Sequence, residues 1–126
     1  YDLYRQFVRA QYGESADGDW LPDYFNTIAS NGNVFGVIVN GRLVSCTDAP
    51  GIPYLNDRIV EPGINTLSRF RRRGYAKAVC TALLAHIVSR DKTPVWSCSI
   101  DNIGSRGLAE SLGYRLFGYQ LSIQSD

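Results

Sequence analysis

Residues 71–76 read Arg-Arg-Arg-Gly-Tyr-Ala, and they open the most regular helical segment of the chain. A helix N-terminus carries a partial positive charge and unpaired N–H groups, so it favours carboxylates rather than guanidinium groups. An anion such as a phosphate or pyrophosphate, held by backbone N–H groups, would account for the arrangement. Gly74 has no Cβ and would let the backbone come close to that anion. The stretch therefore predicts an anion-binding turn.

The helix after this turn carries apolar residues at the spacing of one helical face. These residues are Ala76, Val79, Cys80, Leu83, Leu84, Ile87 and Val88. A strand is predicted before the turn at 59–67, broken at Pro62-Gly63, and another after the helix at 95–100. Such a strand–helix–strand unit forms a right-handed parallel crossover. The turn would lie at the carboxyl end of the first strand, where open α/β sheets bind ligands.

The N-terminal part predicts two amphipathic helices and a hairpin. Residues 2–12 have a helical apolar face, and Pro22 suits the first turn of a second helix that ends at Asn31-Gly32. Two β-rich runs, 34–39 and 42–47, flank Asn40-Gly41, which is the strongest short hairpin signal.

The C-terminal part predicts a short helix over 103–112 that stops at Gly113, and a final β segment over 114–123. The predicted order is α-α-β-β-β-α-β-α-β. It indicates an α+β or α/β fold with a central mixed sheet flanked by helices, in one domain spanning 1–126.

Composition limits the class of protein. The chain has 126 residues and a net charge of +1, which leaves no overall field for nucleic acid or an anionic membrane. No apolar run approaches the roughly 20 residues of a membrane helix. Cys46, Cys80 and Cys98 are odd in number and widely spaced, so buried reduced thiols in a cytoplasmic protein are expected. The absence of methionine indicates a fragment from which an N-terminal element is missing.

Three segments, at 64–70, 71–76 and 102–114 in chain order, resemble motifs of the GNAT superfamily of acyl-CoA-dependent N-acyltransferases. Residues 71–76 are similar to its Arg/Gln-x-x-Gly-x-Gly/Ala pyrophosphate turn, and residues 64–70 to its fourth strand and the entry into that turn. Asn102, Ser105 and the run at 108–114 resemble its second motif, in which an Asn starts a helix and Gly-Phe or Gly-Tyr ends it. The nearest likeness is to bacterial two-part members with a C-terminal catalytic domain.

The resemblance implies a site for acetyl-CoA. Residues 1–33 would be a variable helical part, and 34–126 would hold the sheet and the coenzyme A-binding core. Pantetheine would lie beside the strand, and the pyrophosphate on the amides of the turn. The residues implied to bind are Thr66, Leu67, Arg71, Arg72, Arg73, Gly74, Tyr75, Ala76, Lys77, Asn102 and Ser105.

The resemblance also implies direct attack of an amine on the thioester. Many members carry a tyrosine as general acid where this chain has Ala109, so Tyr114 is the candidate acid and Glu61 the candidate base. Asp101 is interpreted as a helix cap and His86 as structural. The acceptor, a small molecule or peptide with an amine, would be bound by the loops 13–20 and 48–58.

Two other functions stay open. One is a non-catalytic coenzyme A-binding domain with a regulatory role, which Ala109 favours slightly. The other is a nucleic-acid or phospho-ligand module that uses the arginines at 69–73, although the low net charge and the lack of a second basic cluster count against it. A homodimer or a missing N-terminal domain is the expected protein partner.

Overall fold

The computed structural model describes residues 1–49 and 58–119. Its elements follow the predicted order as far as the long helix after the turn at 71–76. They are α1 (Asp2–Tyr12), α2 (Leu21–Ser30), β1 (Gly36–Val39), β2 (Arg42–Asp48), β3 (Ile59–Val60), β4 (Gly63–Thr66), α3 (Tyr75–Ser89), β5 (Thr93–Pro94) and α4 (Ile103–Ser111). Short 3-10 turns occupy Glu14–Ala16 and Ser68–Phe70. The predicted third strand is divided into β3 and β4 by Pro62.

Three strands form an antiparallel sheet in the order β1-β2-β4. The β1–β2 hairpin is confirmed, because Asn40 and Gly41 both have positive φ values, 50° and 77°, as a tight hairpin turn requires. In the β2–β4 register, Asp48 lies opposite Gly63 and Cys46 opposite Asn65, while Ser45 lies opposite Thr66. Residues opposite each other in the register lie on the same face of the sheet. Gly63 and Asn65 therefore share one face of the sheet with Asp48 and Cys46, whereas Thr66 shares the other face with Ser45.

Helices α1 and α2 cover one face of this sheet. Their apolar side chains join those of β2 and the end of β4 in a buried core that contains Tyr4, Phe7, Val8, Leu21, Ile28, Leu43, Val44, Cys46 and Leu67. Leu21 and Ile28 have no exposed surface. The predicted apolar faces of both helices are therefore confirmed, and they fix the position of the residues that follow β4.

Helix α3 is confirmed, but its buried stripe is narrower than predicted. Val79, Cys80, Leu83 and Ile87 are buried, whereas Val88 is 60% exposed. Successive helical residues are about 100° apart, so Val88 points away from the face that Ile87 presents to the core. The prediction that Val88 belongs to the apolar face was wrong.

The parallel crossover through α3 is confirmed, although it is short. Ile59 pairs with Thr93 and Val60 with Pro94. The predicted strand at 95–100 was wrong: beyond Pro94, the N–H of Val95 still donates to the carbonyl of Val60 at 2.9 Å, and no strand is assigned. After Pro62 the chain continues as β4, which pairs with β2, so none of the described strands lies beside the chain after β5. Within the described ranges, β4 is paired along one edge only.

The last predicted strand, 114–123, is not found over 114–119, and 120–123 lie outside the described residues. The stretch 114–119 has no strand beside it in the described part of the chain. Leu116, Phe117 and Tyr119 are accordingly exposed.

The cysteine prediction is only partly correct. Cys46 and Cys80 are buried free thiols, and burial raises their pKa to about 12 and about 11. Cys98 is an exposed free thiol, because it lies in the segment after β5 that pairs with no strand. Its apolar neighbours in sequence suggested burial that the tertiary structure does not provide.

Candidate active site

The turn ahead of α3 has the backbone of an anion-binding loop. Arg72 has a φ of 61° and Gly74 a φ of 82°, both in the left-handed region. The N–H of Ala78 donates to the carbonyl of Gly74 at 3.0 Å and is the first intrahelical bond. The three amides before it, at residues 75–77, precede any intrahelical acceptor. These donors and the helix dipole can act together on an anion.

The arginines of the turn differ in what they contact. The Nε of Arg71 donates to the carbonyl of Thr66 at 3.2 Å, which joins the turn to the end of β4. The guanidinium of Arg73 lies over the ring of Phe70, 5.5 Å from its centroid. In the described part of the chain neither these two nor Arg72 forms an ion pair with a carboxylate.

An open groove of about 560 Å³ runs from β4 across the turn to the start of α4. Nine of the eleven residues predicted to bind acetyl-CoA line it: Thr66, Arg71, Arg72, Gly74, Tyr75, Ala76, Lys77, Asn102 and Ser105. The two others lie apart. Leu67 is 6% exposed in the core, with its N–H bonded to Val44, and Arg73 turns to Phe70.

The start of α4 is built around Asn102. Its Oδ1 accepts from the N–H of Ser105 at 3.0 Å, so Asn102 caps the helix and the interpretation of Asp101 as the cap was wrong. The Oγ of Ser105 accepts from the Nε1 of Trp96 at 3.0 Å. The ring of Trp96 in turn packs on Tyr114, with centroids 5.4 Å apart. One polar chain thus ties the segment after β5 to the groove.

The two candidate catalytic residues are not among the groove's lining residues. Glu61, between β3 and β4, accepts a hydrogen bond from Ser97. The hydroxyl of Tyr114 is buried with no hydrogen-bond partner among the residues the structure describes. Burial, with a smaller contribution from Cys80, raises the pKa of Tyr114 to about 12. The phenol therefore stays protonated at physiological pH, and its raised pKa makes it a weaker acid than a free tyrosine. The roles of both residues stay predictions.

Five further residues line the groove that sequence reasoning did not select, and they are Ile64, Asn65, Phe70, Gly104 and Leu108. A sequence signal existed for two of them. Ile64 shares the face of Thr66 by strand alternation, and Leu108 lies on the Gly104 side of α4 by helical spacing. Asn65 reaches the groove from the other face of β4, and no sequence pattern indicates that.

Of the two loops predicted to bind the acceptor, one is described. In loop 13–20, Asp17 pairs with Arg5 at 2.7 Å and with Arg9 at 3.3 Å, and Glu14 pairs with Arg9 at 2.9 Å. These pairs fasten the loop to α1. In the other loop, 50–57 lie outside the described residues.

Across 1–49 and 58–119, no group of three or more His, Cys, Asp or Glu side chains is arranged to hold a metal ion. None of the helices in the same ranges is long and apolar enough to cross a membrane.

The model of the GNAT acetyltransferase family matches residues 6–120. The chain belongs to that family. The uncharacterized N-acetyltransferase YdfB of Bacillus subtilis (strain 168) is 32% identical over 100 residues, which cover 76% of this chain and 37% of YdfB. The chain thus spans less than two fifths of this curated relative.

Solved GNAT structures share the fold. A GNAT acetyltransferase from Colwellia psychrerythraea superposes with a TM-score of 0.73 at 21% identity, covering 89% of this chain and 41% of that one. The structure of AAC(6')-Iy with the bisubstrate analog CoA-S-monomethyl-acetylneamine superposes with a TM-score of 0.76, also at 21% identity, covering 99% and 90%. At these identities the likeness establishes the mixed α/β fold that the sequence predicted.

Proposed function

We propose that this chain is an N-acetyltransferase that transfers an acetyl group from acetyl-CoA to a primary amine of its acceptor. The observation that carries the proposal is the groove, in which the end of β4, the glycine-bearing turn and the start of α4 converge. Membership of the GNAT family supports the same reaction. A cytoplasmic location stays a prediction of the sequence.

The groove suits acetyl-CoA chemically. Amides 75–77 and the guanidinium groups of Arg71 and Arg72 offer donors to a pyrophosphate, and charge-assisted bonds of this kind are the stronger hydrogen bonds. The unpaired edge of β4 offers N–H and C=O groups to an amide-containing arm. When bound, acetyl-CoA supplies an activated thioester with coenzyme A thiolate as the leaving group. AAC(6')-Iy, whose structure with coenzyme A is known, provides the analogy.

The chain's own contribution is placement and proton handling. Holding an amine against a fixed thioester accounts for much of the rate in such transfers. Glu61 is proposed to accept the proton of the acceptor's ammonium group, through water or directly. Tyr114 is proposed to donate a proton to the departing coenzyme A thiolate. A backbone N–H of β4 would stabilise the negative charge that develops on the carbonyl oxygen.

The test is a mass measurement of the acetylated product after acetyl-CoA and a panel of primary amines are supplied. A product about 42 Da heavier than one of the amines, which is one acetyl group in place of one hydrogen, would support acetyl transfer and identify the class of acceptor. Calorimetric titration with coenzyme A gives the affinity separately, so binding and turnover are judged independently.

One observation favours a second function, a coenzyme A-binding domain without turnover. Ala109 is buried at the position where many GNAT members carry the tyrosine that acts as general acid, and Tyr114 does not line the groove. Tight binding of coenzyme A with no acetylated product from any amine would support this alternative. Acetylation of any one amine would exclude it.

A further inference from the structure

A carboxylate stands on the face of β4 that the α1–α2 helices cover. Asp48 ends β2 and lies opposite Gly63 in the register. Its Oδ2 accepts from the hydroxyl of Tyr24 at 2.7 Å, and a Cβ added to Gly63 would overlap its Oδ1. The absence of a side chain at residue 63 thus lets the carboxylate lie directly against the strand.

Tyr24 is bonded to this carboxylate, and the charge of Asp48 also raises the pKa of the phenols of Tyr4 and Tyr12. We call Tyr4, Tyr12, Tyr24 and Asp48 the tyrosine–carboxylate cluster. Burial is the main cause that raises the pKa of each phenol, and the charge of Asp48 adds to it. The tyrosines therefore stay neutral, and the carboxylate supplies the charge. Tyr12 is 55% exposed, which leaves the cluster open on its side.

The charge of Asp48 has no cationic partner in the described ranges. The ion pairs found there involve Arg5 and Arg9 with the acids of loop 13–20. A half-buried carboxylate loses hydration, and proteins normally offset that loss with a cation or several hydrogen bonds. Among the described residues, the hydroxyl of Tyr24 is the one side-chain donor to Asp48, so a cation from a ligand would complete the surroundings of the carboxylate.

The cluster adjoins the groove through Asn65. This residue lines the groove, and its side chain is hydrogen-bonded to Tyr12. Gly63 and Asn65 lie on the face of β4 that carries the cluster, whereas Ile64 and Thr66 lie on the opposite face. A ligand held at the cluster is therefore beside the strand along which the thioester is proposed to lie.

We propose that the cluster binds a second, non-reacting ammonium of the acceptor, which is therefore a molecule with at least two basic nitrogens. This proposal rests on the proposed function. Asp48 would pair with the cation, and the hydroxyl of Tyr24 would hold the carboxylate in place for it. A nitrogen held by a carboxylate is stabilised in its protonated form and cannot attack, so the anchored nitrogen is distinct from the one acetylated.

The test compares cadaverine with pentylamine, which differ by one terminal amine. The wild type is expected to acetylate cadaverine with a kcat/KM about tenfold higher, the effect of one charge-assisted contact. Asp48→Asn should bring the ratio of the two kcat/KM values close to one, with the affinity for coenzyme A unchanged. Asp23→Asn, which alters an exposed acid on α2, is the matched control and should behave as wild type.

Tyr24→Phe provides a second variant that keeps the ring and removes the bond to the carboxylate. It should lower the ratio severalfold through a weaker hold on Asp48. A wild type without preference for cadaverine, or an Asp48→Asn variant that keeps the preference, would overturn the anchor.

A binding measurement separates this proposal from the reaction. Cadaverine is titrated into the coenzyme A complex of wild type and Asp48→Asn by calorimetry. Binding by the wild type that the variant loses supports the anchor even when no amine is acetylated, in which case only the proposed reaction fails. Equal binding by both proteins counts against the anchor whatever the turnover.

Discussion

The Nε of Arg71 donates a 3.2 Å hydrogen bond to the carbonyl oxygen of Thr66. One nitrogen of this side chain therefore fastens the turn to the last residue of β4, and its terminal nitrogens stay available to a ligand. Arg73, two residues further, instead covers the ring of Phe70 and does not line the groove. The three arginines of the turn are thus unequal in their relation to the groove.

Removal of the Arg71 side chain is expected to weaken coenzyme A binding far more than removal of Arg73. Arg71→Ala deletes a charge in the groove and frees the turn from β4, for which about tenfold or more in Kd is expected from one lost charge-assisted contact. Arg73→Ala should change Kd by about twofold at most, as an exposed charge screened by solvent. Calorimetric titration measures both, and equal losses would contradict the assignment.

Gly74→Ala tests the turn backbone. No atom lies within 4 Å of a Cβ at Gly74, so the constraint is its φ of 82°, and adopting that φ costs a non-glycine residue roughly 1–2 kcal/mol. We expect the turn to relax and coenzyme A affinity to fall severalfold or more.

Gly41→Ala is the matched control for this change. Gly41 also has a positive φ, 77°, and open space around its Cβ position, but it lies in the hairpin. Both variants should lower the free energy of unfolding similarly, while Gly41→Ala leaves coenzyme A affinity intact. If the two lost affinity alike, the effect would be one of general stability rather than of the turn.

Asn102→Ala should destabilise the protein by about 1 kcal/mol, the usual value of a helix N-cap. The bond to the N–H of Ser105 would be lost, and with it the placement of Ser105 in the groove. Asn102→Asp retains an acceptor and should preserve stability. Urea unfolding measures the difference, and an Asn102→Ala variant as stable as the Asp variant would speak against the cap.

Stability should fall as pH rises from about 9 to about 11. In the unfolded chain thiols ionise near pH 8.5, whereas burial raises the pKa of Cys46 to about 12 and of Cys80 to about 11. Above pH 8.5 the unfolded state binds fewer protons than the folded state, so the free energy of unfolding decreases with pH. Each thiol contributes up to about 1.4 kcal/mol per pH unit in that window.

Urea midpoints across this pH range provide the measurement. Cys46→Ala and Cys80→Ala should each flatten the slope, whatever they do to stability at neutral pH. Cys98→Ser should leave the slope unchanged, because Cys98 is exposed. A slope that none of the three variants alters would show that other groups, such as the buried tyrosines, cause the pH dependence.

The parts of the fold that depend on neighbouring residues were readable from the sequence. Helical periodicity predicted α1, α2 and α3, Asn40-Gly41 predicted the hairpin, and the turn at 71–76 contains five of the fourteen residues that line the groove. The parts that depend on distant partners were not readable. Whether 95–100 forms a strand depends on whether another strand lies beside it, and local β propensity carries no information about that.

Side-chain partnerships across the chain were missed for the same reason. Tyr24 and Asp48 meet because of how α2 is rotated on the sheet and of the β2–β4 register. The sequence placed Tyr24 in the second helix and Asp48 in the loop 48–58, with no sign that the two side chains meet. Likewise the bond between Trp96 and Ser105 follows from the packing of α4 and could not be predicted from the sequence.

Among the described strands β4 is paired along one edge only, and this bears on the tendency of the protein to aggregate. A strand whose outer row of N–H and C=O groups is vacant invites a foreign strand to add to it, which is the usual start of aggregation. A small molecule that lies along that row blocks the addition. The protein should therefore be less prone to precipitate when such a molecule is bound along β4.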